Sequence, residues 1–390
     1  MPWKERSIVE ERMRFVLRLK DGESMASLCR EFGISRVTGY KIYDRYKECG
    51  LEGLTDRART PYRYANKLPA QLEAMIVTMR RERPTWGARK LRDRLLRKLP
   101  NDVRVPARST IHAILDRHGL VTRQKRSRTK TEGTPLSQGL VPNALWCTDY
   151  KGEFMLGDKR YCYPLTVSDH ASRYLLLCEA LESVKEQAAF TAFERLFKER
   201  GLPHAIRSDN GVPFASPNGL FNLSRLAVWW LRLGVTIERI QPGHPQQNGR
   251  HERMHRTLKM EATRPAGSNF LQQQAKFDAF VREFNYERPH EALEMKYPAD
   301  VYKPSSRPYH GIGELSYPFH DRTVLVTCCG RICIYKKKIN LSTSLAGQAV
   351  GIKEVDDGIW LVSFMDYDLG YIDLEERTLQ PLNNPFGPKV

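Results

Sequence analysis

The sequence of 390 residues contains no long hydrophobic run and no motif of paired cysteines. No stretch approaches the roughly 20 consecutive apolar residues that a membrane-spanning helix needs, so we expect no membrane partner. The amino-terminal segment MPWKERSIVEERM is charged and has no apolar core of the secretory kind, so we expect no signal peptide. These absences favour a soluble protein of the cytoplasm.

Cysteine is present, but not in a pattern that binds zinc. Cys328, Cys329 and Cys333 lie on a predicted strand, and no second C-x-x-C pair accompanies them. The other five cysteines occur within apolar patterns and are expected to be small core residues, which suits a reducing compartment. They are Cys29, Cys49, Cys147, Cys162 and Cys178.

The formal charge of +18 is concentrated in the first third of the chain. Residues 1–130 contain 32 lysines and arginines against 15 aspartates and glutamates, whereas the remaining residues contain 31 against 30. A basic surface that serves only solubility would not predict this asymmetry. The distribution indicates that the first third binds a polyanion and that the rest has another task.

Three short helices are predicted within residues 1–53. The third is predicted over residues 36–46, with Ser35 as its N-cap and Tyr40 facing inward. A glycine turn before a basic third helix is typical of a helix-turn-helix DNA-binding domain, although any three-helix bundle could look like this. The candidate DNA contacts on this helix are Arg36, Thr38, Lys41 and Arg45.

A basic linker is predicted over residues 54–66, and a second helix-turn-helix-like unit over residues 67–122. Leucines at helical spacing between residues 86 and 99 are surrounded by basic residues, so this unit is also a candidate DNA-binding domain. Residues 123–138 are predicted to be a basic arm along the phosphate backbone, the alternative being a solvated linker. The candidate DNA contacts in these segments are Arg89, Lys90, Arg123, Lys125, Arg126 and Arg128.

After residue 138 the pattern changes to strands and amphipathic helices. Three antiparallel strands are predicted first, at 144–150, 161–168 and 173–180, and helix and strand then alternate. Residues 139–303 are therefore predicted to form an α/β core of the RNase H-like type. Short alternating strands within residues 315–382 predict a small C-terminal β-barrel of the SH3-like type.

Three acidic residues stand out within the predicted core. Asp149 ends an otherwise apolar strand, where an unpaired carboxylate is costly to bury. Asp209 follows a short strand in SDNG, where ordinary turn chemistry is a competing explanation. Glu252 lies on a helix that begins after Asn248, its predicted N-cap. Hard oxygen ligands without thiols favour Mg²⁺ or Mn²⁺ over zinc, and a pair of such ions supports phosphoryl transfer.

The helix that carries Glu252 permits two interpretations. Glu252, Arg256 and Lys259 stand at i, i+4 and i+7, so one acid and two candidate DNA-binding cations share a face. The segment HERMH also matches the H-E-x-x-H signature of zinc peptidases, in which His251 and His255 would bind zinc. The helix is rich in arginine and no clear third ligand follows, so solvated or DNA-facing histidines are the favoured interpretation.

Several motifs in this order resemble insertion-sequence DNA transposases with a retroviral-integrase-type core. The segments PNALWCTDY, SDNGVPF and HPQQNGRHERMHRTLK are similar to the family's first-aspartate, second-aspartate and glutamate motifs. FNYERPHEALEMKYPADVY resembles the segment that closes the core, GLTDRARTP the interdomain linker, and PTWGARKL the second helical module. The interval from Asp209 to Glu252, 43 positions, is longer than in the commonest members, and a loop in ASPNGLFNLSRL is the expected cause.

The resemblance implies D,D,E catalysis, with Asp149, Asp209 and Glu252 binding two Mg²⁺ or Mn²⁺ ions per active site. It implies cleavage at the 3′ ends of a transposon and strand transfer into target DNA. The implied partners are double-stranded DNA and further copies of the chain, as a dimer or tetramer, in a prokaryotic cytoplasm at the nucleoid. A DNA-binding regulator without cleavage remains the alternative, and a zinc metallopeptidase a remote one.

Overall fold

The computed structural model describes residues 7–56, 68–122 and 136–387 and divides the chain into two compact units. The first unit covers Met1–Pro69 and the second Ala70–Val390. The predicted linker 54–66 begins inside the first unit, because Leu54 is buried there, and most of the rest lies outside the described residues. No helix in the described ranges is long and apolar enough to cross a membrane.

The first unit is a bundle of three helices with a small apolar core. A serine caps each helix by accepting a hydrogen bond from the backbone of its first turn. The helices are α1 (Ile8–Lys20), α2 (Met25–Glu31) and α3 (Arg36–Cys49), and a short 3-10 helix follows at Gly50–Leu54. The core consists of Phe15, Val16, Leu28, Cys29 and Leu54.

One detail of α3 differs from prediction. Gly39, rather than Tyr40, faces the other helices, and a Cβ at Gly39 would lie 2.6 Å from the sulfur of Cys29. The close approach of α2 and α3 therefore requires a residue without a side chain. Tyr40, one position on, is 54% exposed, so the prediction that it faces inward is wrong.

The second unit begins with three helices: α4 (Ala70–Glu82), α5 (Ala88–Lys98) and α6 (Arg108–Arg117). Their inward faces are buried, with Leu91 and Leu95 of α5 packed toward Ile111, Ile114 and Leu115 of α6. This spacing, i and i+4, is the helical pattern that the sequence predicted. Of the predicted arm, residues 123–135 lie outside the described residues, and Leu136, which follows them, is buried.

A mixed six-stranded sheet forms the centre of the second unit. Its strands are β1 (Leu145–Tyr150), β2 (Phe154–Met155), β3 (Tyr161–Asp169), β4 (Leu175–Leu181), β5 (Ala205–Ser208) and β6 (Thr236–Arg239). The order is β2-β3-β1-β5-β6, with β4 also paired to β3. Strands β3 and β4 run antiparallel to their neighbours, whereas β5 is parallel to both β1 and β6. Strand β1 is thus central, as the position of Asp149 in the RNase H-like prediction requires.

Helices cover both faces of this sheet. They are α7 (Glu186–Arg200), α8 (Arg225–Arg232), α9 (Gly249–Ala262), α10 (Phe270–Tyr286) and α11 (Pro298–Val301), with short 3-10 helices at Leu220–Asn222, Pro245–Asn248 and Glu291–Leu293. Because side chains alternate along a strand, Trp146 and Val167 point to one face of the sheet. There they pack in the apolar cluster beneath α7 and α8. Cys162 and Cys178 enter the cluster under α9 and α10.

The C-terminal region is all-β, but the predicted closed barrel is not confirmed. Its strands are β7 (Arg322–Leu325), β8 (Arg331–Ile334), β9 (Lys337–Asn340), β10 (Ala349–Asp356), β11 (Ile359–Phe364), β12 (Tyr367–Asp373) and β13 (Thr378–Pro381). Five of them form a sheet in the order β13-β12-β11-β10-β7, while β8 and β9 form a separate hairpin. The five-stranded sheet has β13 and β7 as its two edge strands, so it does not close on itself. Its buried residues continue the apolar cluster of α7 and α8, so the region packs on the core.

Candidate active site

Asp149 lies near the end of β1 with its side chain 25% exposed. In the register of β1 with β3 it stands opposite Thr166, and both therefore point to the face that α9 covers. Burial, together with the negative charges of Asp209 and Glu252, raises the pKa of Asp149 to about 7. The first acid predicted from the sequence is thus electrostatically coupled to the other two.

Asp209 directly follows β5, the parallel neighbour of β1. The carboxyl ends of adjacent parallel strands meet at one edge of a sheet, which brings Asp209 to the side of Asp149. Its Oδ1 accepts a hydrogen bond of 3.1 Å from the backbone N–H of Gly211, so the turn chemistry that competed with a functional role is also present. Burial raises the pKa of Asp209.

Glu252 lies in the first turn of α9 and points outward, while the buried face of the helix packs on the sheet. Arg256 and Lys259, on the same side of the helix, are also exposed, as the sequence spacing predicted. Asn248 occupies the predicted N-cap position, although its side chain makes no capping hydrogen bond. Partial burial raises the pKa of Glu252.

The donor set suits a divalent cation by its chemistry. The charges of Asp209 and Glu252 raise the pKa of Asp149, and within the described residues none of the three acids forms an ion pair with a lysine or arginine. The positive charge of Lys151 acts in the opposite direction and lowers the pKa of Asp149. In the same ranges no group of three or more His, Cys, Asp or Glu side chains is drawn together tightly enough to hold a metal. Any such ion would relieve the mutual repulsion that raises the pKa of Asp149.

The two histidines of HERMH are buried, so the favoured prediction that they are solvated or face DNA is wrong. His251 Nδ1 lies 2.7 Å from Ser168 Oγ, and its Nε2 lies 2.8 Å from Thr166 Oγ1. His255 Nε2 lies 2.7 Å from the same Thr166 hydroxyl, and its Nδ1 lies 3.7 Å from Asp149 Oδ2. Three of the four ring nitrogens are thus taken by hydroxyl groups, which does not match a zinc site built from both rings.

Burial makes the imidazoles of His251 and His255 much weaker bases. It lowers the pKa of His251 to about 3 and that of His255 to about 2, the latter with help from the neighbouring imidazole. The two rings are therefore neutral at ordinary pH and act as hydrogen-bonding groups. The sequence offered one indication of them: Thr166 and Ser168 are polar residues at alternate positions of an otherwise apolar strand, so they needed partners on one face.

The predicted DNA contacts of the second helical unit lie against the core. Arg89 forms an ion pair of 3.0 Å with Glu291, and Lys90 is partly buried. Burial and the charge of Arg288 lower the pKa of Lys90 to about 8. Lys90 therefore contacts the core rather than a free surface. Arg123, Lys125, Arg126 and Arg128 lie outside the described residues.

The contacts between the second helical unit and the core include α9, the helix that carries Glu252. The hydroxyl of Thr85, just before α5, donates to the carboxylate of Glu261 near the end of α9. Arg288 donates to the same carboxylate and to Thr85, the latter at 3.3 Å. Further along, Arg94 pairs with Glu287 at 3.0 Å. These hydrogen bonds and this ion pair thus join the second helical unit to the core.

In the first unit, the predicted DNA contacts are on the surface. Arg36, Thr38 and Lys41 are exposed and Arg45 is half-buried. Val37 is 64% exposed and lies beside them with Tyr40. This apolar part of the surface was not predicted from the sequence, because Tyr40 was expected to face inward.

Four family models match the chain. Two describe an integrase core domain and match residues 140–245 and 233–298. One describes a helix-turn-helix domain, at residues 11–62, and one a homeodomain-like domain, at residues 38–115.

Two curated relatives come from bacterial insertion elements. The "Insertion element IS407 uncharacterized 31.7 kDa protein" of Burkholderia multivorans is 26% identical over 233 residues, which cover 59% of this chain and 79% of that protein. The "Insertion element IS476 uncharacterized 39.2 kDa protein" of Xanthomonas euvesicatoria is 24% identical over 275 residues, 69% of this chain and 75% of that protein.

Among solved structures, the HTLV-2 integrase catalytic core domain in complex with magnesium covers 42% of this chain and 99% of its own, at 15% identity and a TM-score of 0.34. The integrase core models, the helix-turn-helix models and the insertion-element relatives agree with one another along the chain. The chain is thus similar to insertion-element proteins, and it carries segments that match an integrase core domain and helix-turn-helix domains.

Proposed function

We propose that this protein is a DNA transposase that cleaves the 3′ ends of its element and transfers them into target DNA. In this proposal Asp149, Asp209 and Glu252 are the catalytic residues and hold Mg²⁺ or Mn²⁺, two ions per active site. The observation that carries it is the electrostatic coupling of Asp149 to both other acids, at the carboxyl ends of two adjacent parallel strands. Structural carboxylates are normally paired with a cation instead.

The protein's own residues supply orientation and charge. When bound, the divalent ions supply Lewis-acid activation of the attacking oxygen and stabilisation of the leaving 3′-oxygen. Thr166 donates to the backbone carbonyl of Asp149 at 3.0 Å and thereby fixes the end of β1. Arg256 and Lys259, one and two turns beyond Glu252, bind the phosphates that flank the reacting bond.

DNA recognition is assigned to the first unit in this proposal. Arg36, Thr38 and Lys41 reach base edges in a major groove, and Arg45 contacts the backbone. Their exposure on α3 supports this role. The basic residues Arg123, Lys125, Arg126 and Arg128 contact phosphates, and Arg89 does so only if its pair with Glu291 opens.

Transposition joins two element ends to one target, so the proposal includes a dimer or tetramer on DNA, in the cytoplasm at the nucleoid. Each active site then acts on one DNA end. A single copy would bring only one set of acids to two reacting bonds.

The test is a nicking and joining assay on linear DNA that carries the element's terminal repeats. Wild-type protein is expected to nick and join with Mg²⁺ or Mn²⁺ and to do neither in EDTA. Asp149→Asn, Asp209→Asn and Glu252→Gln are each expected to lose at least about a thousandfold in rate, while binding the repeats with unchanged affinity.

Asp158→Asn is the matched control, since Asp158 lies outside the site and pairs with Arg160 at 2.9 Å. It is expected to retain full activity. Full activity in any of the three acid variants refutes the catalytic assignment. Site-specific binding by the wild type without cleavage in any divalent cation assigns the protein as a DNA-binding regulator instead.

A further inference from the structure

A buried ion pair joins the two strands on the Asp209 side of the sheet. Arg207 on β5 stands opposite Glu238 on β6 in the parallel register, and both side chains are nearly inaccessible to solvent. Apolar residues of similar size are often as stabilising as such a pair, because the removal of two charges from water offsets their attraction. Stability alone therefore does not explain a charged pair at this position.

The guanidinium of Arg207 also bonds to two segments outside the sheet. Its Nε donates to the Glu238 carboxylate, its Nη1 donates to the carbonyl of Gln247 at 3.2 Å, and its Nη2 donates to the carbonyl of Ser137. The second oxygen of Glu238 accepts from the backbone N–H of Ser137 at 3.0 Å. Because the guanidinium is planar and rigid, it fixes these three partners relative to one another.

Gln247 is the partner that lies closest in sequence to the proposed active site. It belongs to the 3-10 helix Pro245–Asn248, which leads directly into α9. Glu252 follows five positions after Gln247, in the first turn of α9. The side chain of Asn248 does not cap α9, so the start of this helix depends on contacts with other elements. The bond from Arg207 ties it to β5.

Arg207 and the two buried histidines hold α9 to different strands. His251 and His255 bond to β3, which pairs with β1, the strand that carries Asp149. Arg207 lies on β5, two positions before Asp209. The histidine contacts therefore relate α9 to Asp149, whereas the Arg207 contact relates it to Asp209.

We propose that Arg207 is a positioning residue, which sets the place of Glu252 relative to Asp209 by holding the segment before α9 on β5. This inference rests on the proposed function, because it requires that both acids act in the reaction. Arg207 itself does not touch the reacting groups. Loss of its bond to Gln247 should therefore lower the rate of the chemical step and leave binding of the terminal repeats unchanged.

The test is Arg207→Lys in the full-length protein. Lysine keeps a positive charge beside Glu238, but its single ammonium group cannot reproduce the three directions of the guanidinium. Hydrogen exchange followed by mass spectrometry, without DNA or metal, is expected to be about tenfold faster in residues 245–252 than in the wild type. The single-turnover rate of strand transfer, at saturating DNA and Mn²⁺, is expected to fall about ten- to a hundredfold, with an unchanged Kd for the repeats.

Arg239→Lys is the matched control. Arg239 lies next to Glu238 on β6, is also buried, and donates to two backbone carbonyls, those of Phe221 at 3.0 Å and Asn222 at 2.9 Å. Both carbonyls belong to the 3-10 helix Leu220–Asn222 rather than to the segment before α9. A general loss of stability would appear in both variants. Arg239→Lys is nevertheless expected to keep the wild-type exchange in residues 245–252 and the wild-type rate of strand transfer.

A second variant combines Arg207→Gln with Glu238→Gln, which removes both charges and leaves no unpaired ion in the interior. The same faster exchange and lower rate are expected, so the inference stays testable if Arg207→Lys does not fold. Wild-type exchange in residues 245–252 of the folded variant, or faster exchange with a wild-type rate, overturns the inference. An equal loss of rate in Arg239→Lys also overturns it. If Glu252→Gln retains full activity, the proposed function itself fails, which is a separate outcome.

Discussion

At the scale of single residues, the face of the sheet under α9 is unusually polar. Asp149 and Thr166 stand opposite each other on β1 and β3, and Ser168 lies two residues further along. These groups meet His251 and His255 rather than apolar side chains. Polar groups at this depth lower stability unless each is hydrogen-bonded, and within the described residues the Asp149 carboxylate forms no ion pair with a lysine or arginine.

The raised pKa of Asp149 predicts how stability depends on pH. An unfolded aspartate has a pKa near 3.9, whereas burial and two neighbouring acids raise that of folded Asp149 to about 7. Between these values the folded protein holds more protons than the unfolded one, so stability falls as pH rises. Asp149→Asn should therefore be more stable than the wild type at pH 8, by about 1–3 kcal/mol, and by little near pH 4.

Urea denaturation in EDTA at pH 8 and near pH 4 measures this difference. The chelator matters, because a bound cation would stabilise the wild type and mask the effect. An Asp149→Asn variant that is no more stable than the wild type at pH 8 would show that the carboxylate is not strained there.

A buried ion pair supports the strands that lead into the site. Arg207 on β5 and Glu238 on β6 are both nearly inaccessible to solvent and are paired. Arg207 also donates to the carbonyls of Ser137 and Gln247, the latter in the 3-10 helix before α9. Arg207→Ala leaves a buried carboxylate alone and is expected to cost about 3–5 kcal/mol in the free energy of unfolding.

Arg195→Ala provides the comparison, since Arg195 forms an exposed pair with Glu179 at 2.7 Å. That loss is expected to stay within about 1 kcal/mol. Equal effects of the two substitutions in urea denaturation would contradict the distinction between buried and exposed pairs.

At the scale of elements, the second helical unit and α9 are joined directly. Glu252 and Glu261 stand near opposite ends of α9, about 13 Å apart along its axis at about 1.5 Å per residue. Thr85 holds the Glu261 end together with Arg288. Because a helix moves as a rigid body over this length, the contact at Glu261 helps to set the position of Glu252.

Thr85→Val is predicted to lower the rate of strand transfer about three- to tenfold, because α9 loses one of its anchors. Affinity for the terminal repeats should stay unchanged, since Thr85 bonds to the core. A single-turnover strand-transfer assay together with a binding titration separates the two effects.

Thr191→Val serves as its control: among the described residues, the Thr191 hydroxyl donates to the carbonyl of Gln187, within α7, at 3.2 Å. It should leave both the rate and the affinity unchanged. Loss of DNA affinity in Thr85→Val, with the rate at saturation intact, would mean that the second unit acts through DNA instead.

At the scale of the whole molecule, charge and chemistry occupy different parts of the chain. The excess of basic residues lies in the first third, whereas the three acids lie in the core. Because phosphate contacts release counterions, each one adds about 0.9 to the slope of log affinity against log salt.

Lys41→Ala is predicted to reduce that slope by about 1 and to weaken repeat binding. Lys198→Ala, on α7 and paired with Glu194 at 2.8 Å, should change neither quantity. Fluorescence anisotropy over a range of KCl concentrations gives both values. An unchanged slope in Lys41→Ala would remove this residue from the DNA contacts.

Local patterns predicted the elements well, because alternation and helical spacing are local properties. The strands of the core sheet, the central place of Asp149 and the exposure of Arg256 and Lys259 follow from such patterns. The open C-terminal sheet and the partial burial of Lys90 could not be predicted from local patterns. Both depend on contacts between segments that are distant in sequence. The burial of His251 and His255 was missed because their partners lie on another element, β3.

The most direct test of the three-acid site is anomalous diffraction from crystals of the protein with terminal-repeat DNA and Mn²⁺. If the three acids hold two ions, two anomalous peaks about 3.5–4 Å apart are expected beside Asp149, Asp209 and Glu252. Mn²⁺ peaks elsewhere in the molecule, with Glu252 turned away from both aspartates, would contradict it.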